Sequence, residues 1–175
     1  MSRDILAVMI TALILADGRL ESLATTVSAL IPAVADGLVA DAVVLSREHD
    51  PRIARVAEAV GAAFVVVPSG HEPWAAGAAG ARRDWVLCLG AGDLPSEGWM
   101  RAVDRFVALA PPDRRFGRLP RRHSSLLGRL RGLASPPRRD AIRPGDVIHR
   151  SLVAERRRPR PITIGAFVER DPAFG

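Results

Sequence analysis

Residues 1–110 alternate between short apolar runs and segments whose apolar positions recur at helical spacing. The runs lie at residues 5–15, 42–45, 63–67 and 85–89. Uninterrupted apolar runs indicate buried parallel strands, and amphipathic segments between them are typical of crossover helices. The predicted order is β-α-β-α-β-α-β-α. The pattern therefore predicts an α/β fold, a Rossmann-like three-layer sandwich with a mainly parallel sheet.

Caps and turn residues delimit the predicted helices. Pro51 can occupy the first turn of the second helix, and Gly61 ends that helix. A short alanine-rich helix is predicted at residues 74–82, and Pro95 or Ser96 opens a fourth helix. The first helix is predicted to bury one face. The apolar positions of that face are Leu20, Leu23, Val27, Leu30, Ile31 and Val34.

The character of the chain changes after residue 110. Residues 1–110 form the predicted α/β domain, and residues 111–175 form a basic segment, rich in arginine and proline, that completes or flanks the same domain. A basic amphipathic helix is predicted at residues 124–133, and one more strand around Val147 and Ile148. Residues 156–175 are poorly patterned and are expected to be loosely ordered.

Charge divides the chain in the same way. The chain has no lysine; residues 1–100 carry 7 Arg against 12 acidic residues, whereas residues 101–175 carry 18 against 7. A basic half implies an anionic partner, unless its arginines form only a solvated surface. Nucleic acid is disfavoured, because residues 111–160 contain only one aromatic residue, Phe116. Arginine interleaved with leucine favours an anionic membrane surface, contacted through residues 114–143.

Compartment and chemistry are limited by two further features. Cys88 is the only cysteine, so an intrachain disulfide is excluded and a reducing compartment is expected. The longest apolar run, residues 5–16, is too short to cross a bilayer. The expected localisation is cytoplasmic, with peripheral attachment to the inner face of the membrane.

In open α/β sheets the ligand crevice lies outside the carboxyl ends of the strands. The corresponding loops are residues 14–18, 46–50, 68–72 and 90–94.

Several motifs coincide with this framework. Residues 75–89 read AAGAAGARRDWVLCL, residues 94–99 read LPSEGW, and residues 145–153 read GDVIHRSLV. Over residues 3–110 the chain resembles family 2 glycosyltransferases, and residues 77–99 are the most specific part of the resemblance. The resemblance implies a bacterial GT-A-like transferase. Such a protein moves a sugar from a nucleotide-sugar donor to an envelope or lipid-linked acceptor.

The family's metal motif is altered in this chain. In the family, an Asp-x-Asp motif holds Mg²⁺ or Mn²⁺, which neutralises the departing nucleoside diphosphate. The two aspartates align with Gly90 and Gly92, so that Asp93 is the only acid in the loop. One carboxylate makes a weak metal site, so the sequence assigns no cofactor firmly and leaves Mg²⁺ or Mn²⁺ as a poorly supported alternative.

The resemblance places five residues in the crevice, and their expected roles differ. Asp93 is the remaining acidic contact, Arg82 contacts the diphosphate, Asp50 lines the loop after strand two, and Gly90 and Gly92 allow close backbone approach. The catalytic base is not located.

Two functional alternatives follow. In the first, transfer is metal-independent and arginines such as Arg47, Arg82 or Arg83 neutralise the phosphates. In the second, the chain is a catalytically degenerate domain that binds a nucleotide sugar, a lipid or a partner protein without transfer.

Overall fold

The computed structural model describes residues 9–111, 115–122, 141–155 and 157–174. The predicted helix at residues 124–133 lies outside the described residues, as do residues 5–8 of the first predicted strand. The elements of the first part are β1 (Ile10–Leu15), α1 (Leu20–Ala35), β2 (Val39–Ser46), α2 (Pro51–Ala59), β3 (Ala63–Val66), α3 (Pro73–Gly80), β4 (Trp85–Gly90), β5 (Asp93–Pro95) and α4 (Trp99–Leu109). The later elements are β6 (Phe116–Arg118), β7 (Arg121–Arg122), β8 (Asp146–His149), α5 (Arg150–Val153), β9 (Ile162–Thr163), β10 (Val168–Arg170) and a 3₁₀ turn (Pro172–Phe174).

The main sheet has seven strands in the order β3-β2-β1-β4-β8-β6-β9. Strands β3, β2, β1 and β4 run parallel, β8 is antiparallel to β4 and to β6, and β9 is parallel to β6. This mixed sheet with its helices confirms the predicted α/β fold class. The strand predicted around Val147 and Ile148 is β8, and β6 and β9, which also come from the basic segment, extend the sheet beyond it.

Each face of the main sheet covers a separate apolar core. Ile10, Ala12 and Ile14 of β1 face α1, α2 and α4, whereas Leu13 faces α3. Alternate residues of a strand point to opposite faces, which gives the three layers. Gly77 lets α3 lie close to the sheet, since a Cβ there would approach Leu45 Cδ1 to 2.9 Å.

Three predictions about individual elements need correction. Ile31 and Val34 are 61% and 56% exposed, because the buried face of α1 is rotated toward Thr26 and Ala33. The fourth helix begins at Trp99, later than predicted, because β5 and a left-handed Gly98 precede it. Residues 156–175 were predicted to be loosely ordered, but their described part contains β9, β10 and the 3₁₀ turn.

A second, three-stranded sheet has the order β5-β10-β7. Strand β10 runs antiparallel to β5 and parallel to β7. The central strand of this small sheet, β10, comes from residues 168–170. The small sheet therefore joins the segment after β4 to the basic segment.

Candidate functional site

The loops after the four parallel strands meet at one edge of the main sheet. Ala91 N donates to Leu15 O at 2.8 Å, and Ala16 N donates to Leu45 O at 2.8 Å. Arg47 Nη1 donates to His71 O at 2.9 Å, which joins the loops after β2 and β3. The structure thus brings the four predicted loops together, and this carboxyl edge is the candidate site.

Asp50 lies in the loop after β2 and caps α2. Its Oδ1 accepts a hydrogen bond from Arg52 N at 2.9 Å, and its Oδ2 lies 2.8 Å from Arg52 Nη2. These hydrogen bonds with Arg52 lower the pKa of Asp50 to about 2. Pro51 occupies the first turn, as predicted. The carboxylate is partly exposed at the edge of the site, but its partners in the structure are those of a helix cap.

Asp93 lies at the start of β5 and its side chain is fully buried. Its Oδ2 accepts from Gly90 N at 2.7 Å, and its Oδ1 forms an ion pair with Arg121. Thr26 Oγ1 donates to the main-chain oxygen of Asp93 at 3.1 Å. Burial raises the pKa of Asp93, and the charge of Arg121 opposes that shift. Both carboxylate oxygens are therefore engaged inside the protein.

The two glycines that the resemblance aligns with the Asp-x-Asp motif also have internal neighbours. A Cβ on Gly90 would lie 3.3 Å from Asp93 Oδ2. Gly92 has a φ of +87°, and a Cβ there would lie 3.2 Å from the Phe174 ring. Asp171 N donates to Gly92 O at 2.8 Å. The close approach predicted for a ligand at these glycines is made in the structure by Asp93 and by the chain's own 3₁₀ turn.

Arg82 is the one predicted site residue that the structure does not bring to this edge. It precedes the amino end of β4, whereas the site lies beyond the carboxyl end. It lines a cavity of about 500 Å³ together with Val39, Gly61 and Ala62, which lie at the amino ends of β2 and β3. The resemblance predicted Arg82 in the crevice, but the extended strand β4 separates it from residues 90–93 by its own length.

The residues of the loop at 90–94, the glycine loop, do not fit the divalent cation that the fold family implies. Among the described residues, no group of three or more His, Cys, Asp or Glu side chains could hold a metal ion. Asp93, the one acid of the loop, uses both oxygens for Gly90 and Arg121. A cation would need several oxygen ligands, and this carboxylate has no oxygen left unengaged.

Two arginines of this site were not predicted from the sequence. Arg121 pairs with Asp93, and Arg170 Nη2 lies 3.0 Å from Asp17 Oδ2 in the loop after β1. Burial raises the pKa of Asp17, but the hydrogen bonds from Ser22 and Arg19 and the charge of Arg170 outweigh that effect. The pKa of Asp17 is therefore lowered. No local signal marks either arginine, because both reach the site through the small sheet.

The architecture and this edge define a GT-A-like fold, which the chain shares with solved glycosyltransferases. Glucosyl-3-phosphoglycerate synthase from Mycobacterium tuberculosis, solved with Mn²⁺, UDP-glucose and phosphoglyceric acid, is similar with a TM-score of 0.52 at 16% identity; the match covers 83% of this chain and 58% of that one. TarS from S. aureus, solved with UDP-GlcNAc, is similar with a TM-score of 0.51 at 10% identity, over 83% and 46%. This chain thus spans about half the length of these proteins. No protein-family model matches it, and no curated protein matches it either.

Proposed function

We propose that this chain is a family 2-like glycosyltransferase domain that binds a nucleotide-sugar donor without a divalent cation. The sugar would pass to an envelope or lipid-linked acceptor. The GT-A-like fold supports the donor class, because solved proteins of similar fold were crystallised with UDP-glucose and UDP-GlcNAc. The observation that carries the metal independence is the buried Asp93 carboxylate, which Gly90 and Arg121 satisfy in place of a metal.

A thermal-shift screen tests this proposal. The purified protein is heated with UDP-, GDP- or dTDP-sugars, each in EDTA and with added Mn²⁺ or Mg²⁺. A ligand that binds the folded state raises Tm by linkage. We expect one nucleotide family to raise Tm in EDTA and the metals to add nothing. Stabilisation that appears only with metal would contradict the metal independence, and no stabilisation by any donor would contradict donor binding.

The residues predicted to contact the donor are expected to respond differently in this test. We expect Arg82→Ala to leave the donor-dependent shift unchanged, since Arg82 lies at the opposite edge of the sheet. A reduced shift in the Arg82 variant would place the donor in the 500 Å³ cavity instead. Asp50, Gly90, Gly92 and Asp93 stay as predicted contacts of the donor.

A second candidate is a catalytically degenerate domain that acts in binding or as a membrane-associated interaction protein. The observation that favours it is the contact of Phe174 with Gly92, which fills the place of a predicted ligand contact. A sugar-nucleotide hydrolysis and transfer assay separates the candidates, since donor binding with no turnover supports the second.

Membrane association and a cytoplasmic location belong to the same proposal. No helix among the described residues is long and apolar enough to span a bilayer. Residues 114–143 are the proposed contact with anionic lipid, and most of them lie outside the described residues. Sedimentation with anionic liposomes, with and without that segment, tests the contact. Equal sedimentation of both forms would remove it.

A further inference from the structure

The small sheet places three charged residues on one face. Asp93 pairs in register with Arg170, and Arg121 pairs with Val168. Residues paired across two strands share a face, and so do residues two apart in one strand, such as Val168 and Arg170. Arg121, Asp93 and Arg170 therefore project from the same face of the sheet β5-β10-β7.

That face meets the loops after β1 and β4. Asp93 reaches back to Gly90 N at 2.7 Å, and Arg170 reaches Asp17 Oδ2 at 3.0 Å. The Arg121 guanidinium thus lies against the loop that aligns with the family's metal motif, in a chain whose loop does not fit a metal, and the Arg170 guanidinium lies against the loop after β1. The two guanidinium groups lie close enough for both charges to act on Asp93.

Both guanidinium groups have donors left over. A guanidinium carries five N–H donors. In the structure Arg121 gives its Nη2 to Asp93, and its buried Nε has no hydrogen-bond partner among the described residues. Arg170 gives Nη2 to Asp17 and gives Nε to Phe174 O at 2.8 Å. The side chains of Arg121 and Arg170 are 28% and 32% exposed, so solutes can reach them.

Guanidinium forks match the spacing of phosphate oxygens and remain charged at every physiological pH. Two such groups on one face offer two guanidinium forks to an anion that carries two phosphates. The two carboxylates nearby, Asp93 and Asp17, hold these groups in place when no anion is bound.

We propose that Arg121 and Arg170 take the place of the divalent cation and bind the diphosphate of a nucleoside diphosphate donor. This inference rests on the proposed function and names the residues that would carry it. The pair supplies the positive charge that the departing diphosphate needs, with Asp93 fixing Arg121 and the bound anion exchanging with Asp17 at Arg170. Arg82, which the sequence favoured for this role, lies at the opposite edge.

Titration calorimetry in EDTA tests the pair, with UDP, inorganic pyrophosphate and uridine as probes. We expect UDP and pyrophosphate to bind the wild-type protein, and Arg170→Gln to weaken both by about tenfold or more, the loss expected for hydrogen bonds to a charged group. Uridine carries no phosphate, so its binding should not change. Arg170→Lys keeps the charge without the fork and should recover part of the loss.

Arg122→Gln is the matched control. Arg122 neighbours Arg121 in the same strand, pairs with Glu169, and so projects from the opposite face. Its guanidinium lies 3.7 Å from the centre of the Phe167 ring. We expect this variant to bind UDP and pyrophosphate as the wild-type protein does.

Arg121 is tested in a background that keeps the protein folded. Since Arg121 neutralises the buried Asp93, Arg121→Gln is combined with Asp93→Asn and compared with Asp93→Asn alone. We expect the double variant to bind UDP and pyrophosphate about tenfold or more weakly than the single variant. Circular dichroism confirms that both variants are folded before titration.

The outcomes separate this inference from the proposed function. Unchanged UDP and pyrophosphate affinity in the Arg170 and Arg121 variants would overturn the inference, while UDP binding by the wild-type protein would still support the proposed function. Binding of UDP only with added Mn²⁺ would overturn both the inference and the metal independence. Failure of the wild-type protein to bind either UDP or pyrophosphate would overturn the inference as well.

Discussion

The loops after β2 and β4 each contain an aspartate paired with an arginine, and the two pairs differ in sequence separation, in burial and in the direction of the aspartate's pKa shift. Asp50 and Arg52 are two residues apart and joined by a helix cap, the Arg52 side chain is exposed and that of Asp50 partly exposed, and the pKa of Asp50 is lowered to about 2. Asp93 and Arg121 are 28 residues apart, the carboxylate is fully buried, and burial raises its pKa. The first pair serves one helix end, whereas the second joins the glycine loop to the basic segment.

The largest expected effect comes from breaking the buried pair. Arg121→Leu leaves the Asp93 carboxylate buried without a cation, which costs about 3–5 kcal/mol of unfolding free energy. Urea unfolding followed by circular dichroism measures the loss. Adding Asp93→Asn to the variant should restore part of the stability, because the uncompensated charge is then removed. A loss below about 1 kcal/mol, the range of exposed pairs, would show that the pair is not buried in solution.

The next largest loss of stability is expected at Gly92, and Gly61 serves as its comparison. Gly92→Ala forces a side chain into a left-handed backbone at φ +87° and toward the Phe174 ring, so we expect a loss of about 2 kcal/mol or more. Gly61, which follows α2, has φ +72°, and a Cβ placed on it would meet no atom within 4 Å. Gly61→Ala should therefore cost only the backbone strain, about 1 kcal/mol. Equal losses in urea unfolding would contradict the contact with Phe174.

The two aspartates should respond to pH with opposite signs. The folded-state pKa of Asp93 is raised, so its protonated form favours folding and stability falls as the pH rises above 3.8. The folded-state pKa of Asp50 is lowered, so its contribution is present above 3.8 and is lost as the pH falls toward about 2. Tm of the wild-type protein is measured from pH 2 to 6 against Asp93→Asn and Asp50→Asn. Differences of the same sign would contradict this assignment.

The smallest effect is expected at the exposed pair. Arg52→Ala removes the ion pair with Asp50, but the main-chain N–H of residue 52 still donates to the carboxylate. Exposed pairs are screened by water, so we expect a change in Tm close to the error of the measurement. A large loss would show that the Asp50 pair holds more than the end of α2.

The order of elements over residues 1–110 could be predicted because its signals are local. Apolar runs predicted β1 to β4, and Pro51 and Gly61 predicted the bounds of α2. Residue periodicity was less reliable for α1, where Ile31 and Val34 fit the helical spacing but lie exposed. Spacing shows that a helix has an apolar face, but the neighbouring elements decide which part of that face they cover.

The candidate site could be predicted only in part. The four loops were correctly assigned to one edge, since parallel strands place their carboxyl ends together. The structure places Arg82 at the opposite edge, and Arg121 and Arg170 were not found. The two missed arginines lie in segments with little apolar pattern, and their strands, β7 and β10, contain two and three residues. Such short strands carry no period that a sequence can show.

The sequence by itself determined the order of β1 to β4 and of the helices between them, the absence of acidic residues at Gly90 and Gly92, and the division into an acidic and a basic half. Only the tertiary structure decided that Asp93 is buried against Arg121, and that Arg170 meets Asp17 across 153 residues. The physical reason is the separation along the chain over which each interaction acts. Caps and periodicity act within a few residues, whereas these ion pairs exist because β10 brings the end of the chain between β5 and β7.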